Sequence, residues 1–231
     1  MASIALQALQ RITIPAISRH TATVILVHGL GDTGEGLQPL AEMFRQDPAL
    51  HHVKWVLPHS PEQAVTANMG IVMPSWFDIY SFGFNTNEDE RGMLESARQI
   101  NALVTEEVDA GIDPSRIILG GFSQGGTMSL LTGLTVGWLP LRNKFKAMAS
   151  DHAKSTPIFW GHGSEDPLVK AEFSKESKEF VIGQLGVPVS TDAAVAKGLD
   201  YRMYNGLGHG TRPQELGDLQ AWLTKAIPAS D

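Results

Sequence analysis

Gly121-Phe122-Ser123-Gln124-Gly125 is the stretch that most narrows what this chain can become. It follows the apolar run Ile117-Ile118-Leu119 and opens into Gly126-Thr127-Met128-Ser129-Leu130-Leu131, a segment of helical character. A strand, a sharp turn centred on serine and then a helix make the setting of a nucleophile elbow. The turn holds the serine in a strained backbone geometry, and the glycines on either side let strand and helix pack with no Cβ between them. An ordinary Gly/Ser turn has the same composition. The motif therefore gains meaning only if a base and an acid follow it in a workable order.

A serine hydroxyl is a poor nucleophile at neutral pH and needs a base within hydrogen-bond reach. The base in turn needs a carboxylate that fixes its tautomer and stabilises its charged form. In α/β-hydrolases the chain order is Ser, then Asp or Glu, then His. After Ser123 the strand-like run Pro157-Ile158-Phe159-Trp160 ends in Gly161-His162-Gly163-Ser164-Glu165-Asp166-Pro167, which puts Asp166 in the acid position. The next strand-like run, Asp200-Tyr201-Arg202-Met203-Tyr204, ends in Asn205-Gly206-Leu207-Gly208-His209-Gly210, which puts His209 in the base position. Each has a plainer reading, Asp166 as a turn residue before proline and His209 as a loop histidine. Glu165 competes with Asp166, and His162 competes with His209 but precedes the acid and so breaks the order. It is the joint placement in successive post-strand loops that points to acyl transfer.

A second motif completes the constellation. Thr23-Val24-Ile25-Leu26-Val27 reads as a buried strand and ends in His28-Gly29-Leu30-Gly31-Asp32. An oxyanion hole takes one backbone N–H from the residue after the nucleophile and one from an early strand-to-helix loop. Those are Gln124 and Leu30. Such donors are commonly the largest electrostatic contribution to acyl transfer.

The segments His28-Gly29-Leu30-Gly31-Asp32-Thr33-Gly34, Met73-Pro74-Ser75-Trp76-Phe77-Asp78, Gly120–Gly126, Trp138-Leu139-Pro140-Leu141-Arg142, Gly161-His162-Gly163 and Asp166-Pro167-Leu168-Val169 together resemble the acyl-protein thioesterase family, also described as lysophospholipases or small carboxylesterases. The similarity runs from about Ile12 to Ile227. It implies a single α/β-hydrolase domain over residues 11–231, with a mainly parallel central sheet, helices on both faces and no large cap domain. It also implies a serine hydrolase that releases fatty acyl groups from S-acylated cysteines of proteins, with activity on lysophospholipids and small esters. Ser123, Asp166 and His209 fall on the family's catalytic positions, and Leu30 and Gln124 on its oxyanion positions.

Composition sets limits around this reading. A chain of 231 residues suits one domain with a sizeable core. The net charge of −7 argues against nucleic acid as a partner. With no cysteine there is no disulfide framework, thiol catalysis or thiolate metal site. Histidines and carboxylates lack metal-ligand spacing, so no metal or other cofactor is expected. No run of 18 apolar residues suggests a membrane span, and the expected membrane contact is a transient one at the surface. Met1–Gln10 reads as a disordered extension. The absence of acidic residues up to Gly31 is only faintly like a transit peptide. The expected compartment is the cytoplasm, with the nucleus also open to so small a protein.

The pattern predicts strands near Ile12–Ile17, Thr21–Val27 and Val53–Leu57, and helices over Leu37–Arg45, Asp89–Val108, Lys170–Leu185 and Pro213–Ala226. Between them Pro58–Asn87 reads as one long loop carrying Trp76, Phe77, Tyr80, Phe82 and Phe84. A loop of that length is expected to be functional. Either it packs as a satellite core, or Met73, Trp76 and Phe77, with Leu30 and Leu168, form an acyl-binding wall. Burial gains ~0.8 kcal/mol per methylene, so an apolar groove suits a fatty chain.

The sequence departs from the family most clearly between Leu131 and Trp138. Only Thr132-Gly133-Leu134-Thr135-Val136-Gly137 stands where the family completes a helix and then a buried strand. A crossover between parallel strands needs at least about 10–12 residues. One central strand after the nucleophile helix is therefore expected to be shortened or missing, with a stub over Leu134–Gly137 as one outcome. A non-catalytic acyl-binding relative or an impaired isoform is the alternative this leaves open. Leu37 also departs, standing where the family often has tryptophan.

Overall fold

A computed structural model describes residues 8–81, 88–133 and 151–230. Its elements run β1 (Arg11–Ile14), β2 (Ala22–Val27), α1 (Gly34–Arg45), β3 (Val53–Pro58), β4 (Glu62–Val65), β5 (Ile71–Pro74), α2 (Glu90–Asp109), β6 (Ile117–Gly121), α3 (Gln124–Gly133), β7 (Ile158–Gly163), α4 (Ala171–Gly183), β8 (Leu199–Tyr204) and α5 (Pro213–Ala226). Strands β1, β3, β2 and β6 lie side by side in that order. β2 is parallel to both neighbours, and β1 returns antiparallel on β3. β7 and β8 form a parallel pair.

The continuous apolar run of β2 is buried along its whole length, as a strand covered on both faces must be. Its alternate residues serve two cores. Val24 and Leu26 pack with Phe44 of α1 and with Trp222 and Leu223 of α5. Ile25 and Val27 pack on the other face with Met93, Ile100 and Leu103 of α2 and Met128 of α3. A third core joins Leu130 of α3 to Ile158, Trp160, Val181 and Leu199. Phe159 of β7 belongs to the first core, which couples the β7–β8 pair to the four-stranded sheet.

Local chemistry sets the element ends. The Asp89 carboxylate caps α2 by accepting from the Gly92 N–H at 3.0 Å. Asp113 accepts from the Ser115 N–H at 2.8 Å, shaping the turn before β6.

Three expectations are corrected or displaced. The stretch Pro58–Asn87 is not a plain loop, because β4 and β5 pair antiparallel within it. The tip of this hairpin turns at Met69 (φ 57°) and Gly70 (φ 75°). Contacts with the domain also start ahead of position 11: Leu9 packs against the second core, and the Gln10 carbonyl accepts from the His59 N–H at 2.9 Å. Helix α3 continues to Gly133, while the stub strand expected at Leu134–Gly137 and the segment Trp138–Arg142 lie outside the described residues. Phe82 and Phe84 lie outside them too. Among the described residues β6 pairs with β2 alone and β7 with β8 alone.

β6 and α3 meet β2 at very close range around the elbow. A Cβ on Gly125 would collide with the carbonyl oxygens of Val27 and His28, and one on Gly121 with those of Val27 and Gly125. Backbone cannot swing aside as a side chain does. Gly125→Ala should therefore destabilise the protein by about 1–3 kcal/mol or more through overpacking, read as a lowered urea midpoint. An unchanged midpoint would mean the approach is looser than described.

Candidate active site

Ser123 stands between β6 and α3 with φ of 51°, in the left-handed region that non-glycine residues rarely occupy. Backbone bonds hold it there. Phe122 N–H donates to the Val27 carbonyl at 3.1 Å, Gly125 N–H to the Phe122 carbonyl at 2.8 Å and Thr127 N–H to the Ser123 carbonyl at 3.1 Å. The strained residue is thus over-determined by its surroundings, as a serine on a nucleophile elbow must be.

The loops after β7 and β8 are zipped together. Ser164 N–H donates to the Tyr204 carbonyl and Glu165 N–H to the Leu207 carbonyl, both at 3.0 Å. This sets Asp166 beside His209. Asp166 Oδ2 accepts from His209 Nδ1 at 2.7 Å, and His209 Nε2 lies 2.9 Å from Ser123 Oγ. The other carboxylate oxygen, Oδ1, accepts from the N–H groups of Leu168 and Val169, each at 2.8 Å. The Phe122 ring lies 5.0 Å from that of His209 and steadies its plane. The rival residues have other partners, although His162 Nε2 comes within 4.0 Å of Asp166 Oδ2. His162 Nε2 donates to the Val169 carbonyl at 2.8 Å, and burial lowers its pKa. Glu165 is exposed.

Among the described residues, no backbone carbonyl takes the N–H of Leu30 or of Gln124. Their neighbours are committed: Gly31 N–H donates to the Pro74 carbonyl at 2.8 Å and Asp32 N–H to the Gly29 carbonyl at 3.2 Å.

A cavity of about 650 Å³ reaches Ser123, Asp166 and His209. Leu30, Phe77 and Leu168 line it as expected. Trp76 and Met73 do not. Trp76 is buried beneath the loop after β2, where its indole N–H donates to the His28 carbonyl at 2.9 Å. The Met73 sulfur takes a bond from the Asn68 amide at 3.5 Å. Leu37 of α1, singled out by its departure from the family, also lines the cavity, and the wall that sequence reasoning missed comes from Phe159 of β7 and Leu219 and Trp222 of α5. On α5 the helical spacing of Leu219 and Trp222 marked a buried face without marking that the face borders a cavity. Glu215 is a polar exception in this wall, and burial raises its carboxyl pKa.

The sequence relations agree with this geometry. A model of the phospholipase/carboxylesterase family matches residues 10–227.

The chain belongs to the phospholipase/carboxylesterase family.

It is 41% identical to acyl-protein thioesterase 1 of Cryptococcus neoformans over 95% of this chain and 98% of that protein. It is likewise 41% identical to acyl-protein thioesterase 1 of Gibberella zeae, over 94% of this chain and 95% of that one. In structure it resembles Arabidopsis thaliana SOBER1, with a TM-score of 0.79 and 28% identity over 91% of this chain and 100% of that one. The fold is also that of Zea mays acyl-protein thioesterase 2, with a TM-score of 0.76 and 24% identity over 94% of this chain and 99% of that one. The fold is the α/β-hydrolase fold, and among the described residues its four-stranded sheet is mixed through the antiparallel strand β1.

In this family member the Gln124 side chain has a task of its own. Its amide donates to the Phe77 carbonyl at 2.8 Å and to Ser75 Oγ at 3.0 Å, and its carbonyl accepts from the Trp76 N–H at 2.9 Å. These bonds pin the end of the long excursion to the residue after Ser123. Gln124→Ala leaves the Trp76 N–H buried without its partner, a loss of about 1–3 kcal/mol. The urea midpoint should fall accordingly; a variant as stable as the parent would show that this knot is dispensable.

Proposed function

We propose that this chain is a serine hydrolase that releases fatty acyl groups from S-acylated cysteines of proteins. The reading is carried by the unbroken bond chain from Ser123 through His209 to Asp166 at one side of an apolar cavity. The name acyl-protein thioesterase 1, borne by relatives 41% identical over nearly the whole chain, supports the substrate class.

In this mechanism His209 Nε2 takes the Ser123 proton while Oγ attacks the thioester carbonyl carbon. The carbonyl oxygen becomes an oxyanion held by the N–H groups of Leu30 and Gln124. Collapse breaks the C–S bond, and the thiolate of the protein cysteine leaves, taking the proton from His209. Water then attacks the acyl-serine, giving a proton to His209, and the second collapse returns that proton to Ser123 and releases the fatty acid. Asp166 keeps the Nδ1–H tautomer of His209 facing it and stabilises the imidazolium between steps. No cofactor takes part.

Small esters and lysophospholipids form the second substrate reading, favoured by the apolar walls around Leu37, Phe159 and Trp222 and by the family's own description. Turnover of acyl-protein, lysolipid and short-ester substrates under one set of conditions ranks the three. Ser123→Ala should abolish turnover, losing at least about 10³-fold, while the thermal midpoint stays near that of the parent. Residual activity close to the parent's would remove Ser123 as nucleophile. A folded parent that fails to label at Ser123 with a fluorophosphonate would instead support an acyl-binding relative without turnover.

We further propose that the substrate is met at a membrane surface. The β4–β5 hairpin presents Met69, 91% exposed, with Ile71 at 53% and Val72 at 62%, and Leu168 stands exposed at the cavity. Among the described residues no helix is long and apolar enough to cross a membrane, so the contact would be peripheral. Met69→Asp with Val72→Asp should weaken vesicle binding at least about fivefold, since each buried apolar side chain is worth about 1.5–3 kcal/mol. Turnover of a soluble short ester should persist. Equal vesicle binding by parent and variant would dismiss the hairpin as the contact. The cytoplasm, with the nucleus as a second location, is the proposed compartment.

A further inference from the structure

His28 is fully buried at the end of β2, outside the bond chain of Ser123, His209 and Asp166. Its Nε2 lies 3.0 Å from the Ser60 backbone nitrogen, and its Nδ1 lies 2.8 Å from the Gly29 carbonyl oxygen. A backbone N–H only donates, so Nε2 must be the bare, accepting nitrogen. The ring proton therefore sits on Nδ1, and Nδ1–H donates to the Gly29 oxygen. The tautomer follows from partners of fixed polarity on both sides.

The Gly29 oxygen belongs to the peptide unit that carries the Leu30 N–H. That unit is planar and trans, so its C=O and N–H point in opposite directions and turn together. A grip on the oxygen therefore aims the N–H. Asp32 N–H donates to the same oxygen at 3.2 Å, a longer bond. The peptide before it is held as well, because the His28 carbonyl accepts from Trp76 Nε1 at 2.9 Å and the two rings lie 5.1 Å apart. Gly29 contributes no side chain that could hold this peptide, which leaves the grip to His28 and Asp32.

We infer that His28 is a positioning residue for acyl transfer, its Nδ1–H fixing the Gly29–Leu30 peptide so that the Leu30 N–H faces the developing oxyanion. The role rests on the reading of Leu30 as an oxyanion donor in the Ser123 reaction. Burial lowers the His28 pKa, which keeps the ring in the neutral form that this arrangement needs. A protonated ring would set Nε2–H against the Ser60 N–H, two donors facing each other in the interior.

Two near-isosteric amides separate the halves of this arrangement. In H28N the amide nitrogen replaces Nδ1 and keeps a donor for the Gly29 oxygen, while the Ser60 N–H loses its acceptor. In H28Q the longer side chain reaches the Nε2 position and keeps an acceptor for Ser60, while the Gly29 oxygen loses its donor. A purely structural histidine predicts similar damage from both. The positioning role predicts a split in kcat on a soluble short ester, counted per folded molecule by near-UV circular dichroism. H28N should retain kcat within about threefold of the parent and H28Q should lose about 10-fold or more, with KM within about threefold in both, since misaiming one oxyanion donor costs less than the 10²–10³ of deleting it. Equal losses, a larger loss in H28N, or failure of H28N to fold would overturn the inference. Ser123→Ala, run alongside, keeps the two readings apart. If it abolishes turnover while H28N and H28Q behave alike, only the role of His28 fails. If it retains turnover, the catalytic reading itself fails.

Discussion

The buried amide of Gln124 is the interaction on which the site's architecture turns. Its three bonds to Ser75, Trp76 and Phe77 attach a segment 48 residues upstream of Trp76's partner to the first turn of α3. Trp76, fixed there, in turn fixes the His28 carbonyl. The two backbone donors proposed for the oxyanion, Leu30 and Gln124, lie on elements far apart in sequence. One knot of neutral hydrogen bonds brings them to a common frame. Such a network is worth its place only when every member is satisfied, because an unpaired polar group in the interior costs more than a pair contributes.

Close backbone approach supplies the second constraint. Strands β2 and β6 run parallel, and their ends bring Val27, His28 and Ser123 together only because Gly121 and Gly125 leave no Cβ at the contact. The strained φ of Ser123 is the local cost of presenting the hydroxyl, and the surrounding bonds offset it. Rigidity here has a chemical purpose. Dipoles that are already aimed need no reorganisation when charge develops on the substrate.

Much of this was legible in the sequence because it is written in local patterns. The continuous apolar run of β2 and the elbow glycines declare themselves within a few residues, and the helical spacing through Leu94, Ala97, Ile100, Val104 and Val108 declares α2, although its buried face runs through Met93, Ile100 and Leu103 and leaves Val108 exposed. That Asp166 and His209 would meet Ser123 was legible through chain order. The β4–β5 hairpin was not, because its strands are four residues each and its turn places Met69 in a conformation usually taken by glycine or asparagine. Trp76 was assigned to the acyl wall since an aromatic residue near a site reads as lining. Only the fold reveals that its indole N–H is spent on the His28 carbonyl. The side-chain role of Gln124 left no local signal, its partners being set by tertiary contact alone. The cavity wall from β7 and α5 is of the same kind.

Helix α5 comes after His209 in the chain, yet it supplies Trp222 and Leu223 to the core beneath β2, one of the earliest strands. A growing chain that has already made the elbow and the acid loop still has an open core under its central strand. Residues that would attack an ester are therefore synthesised well before they are held in register. Among the described residues, the core under β2 is thus completed only by the last helix of the chain.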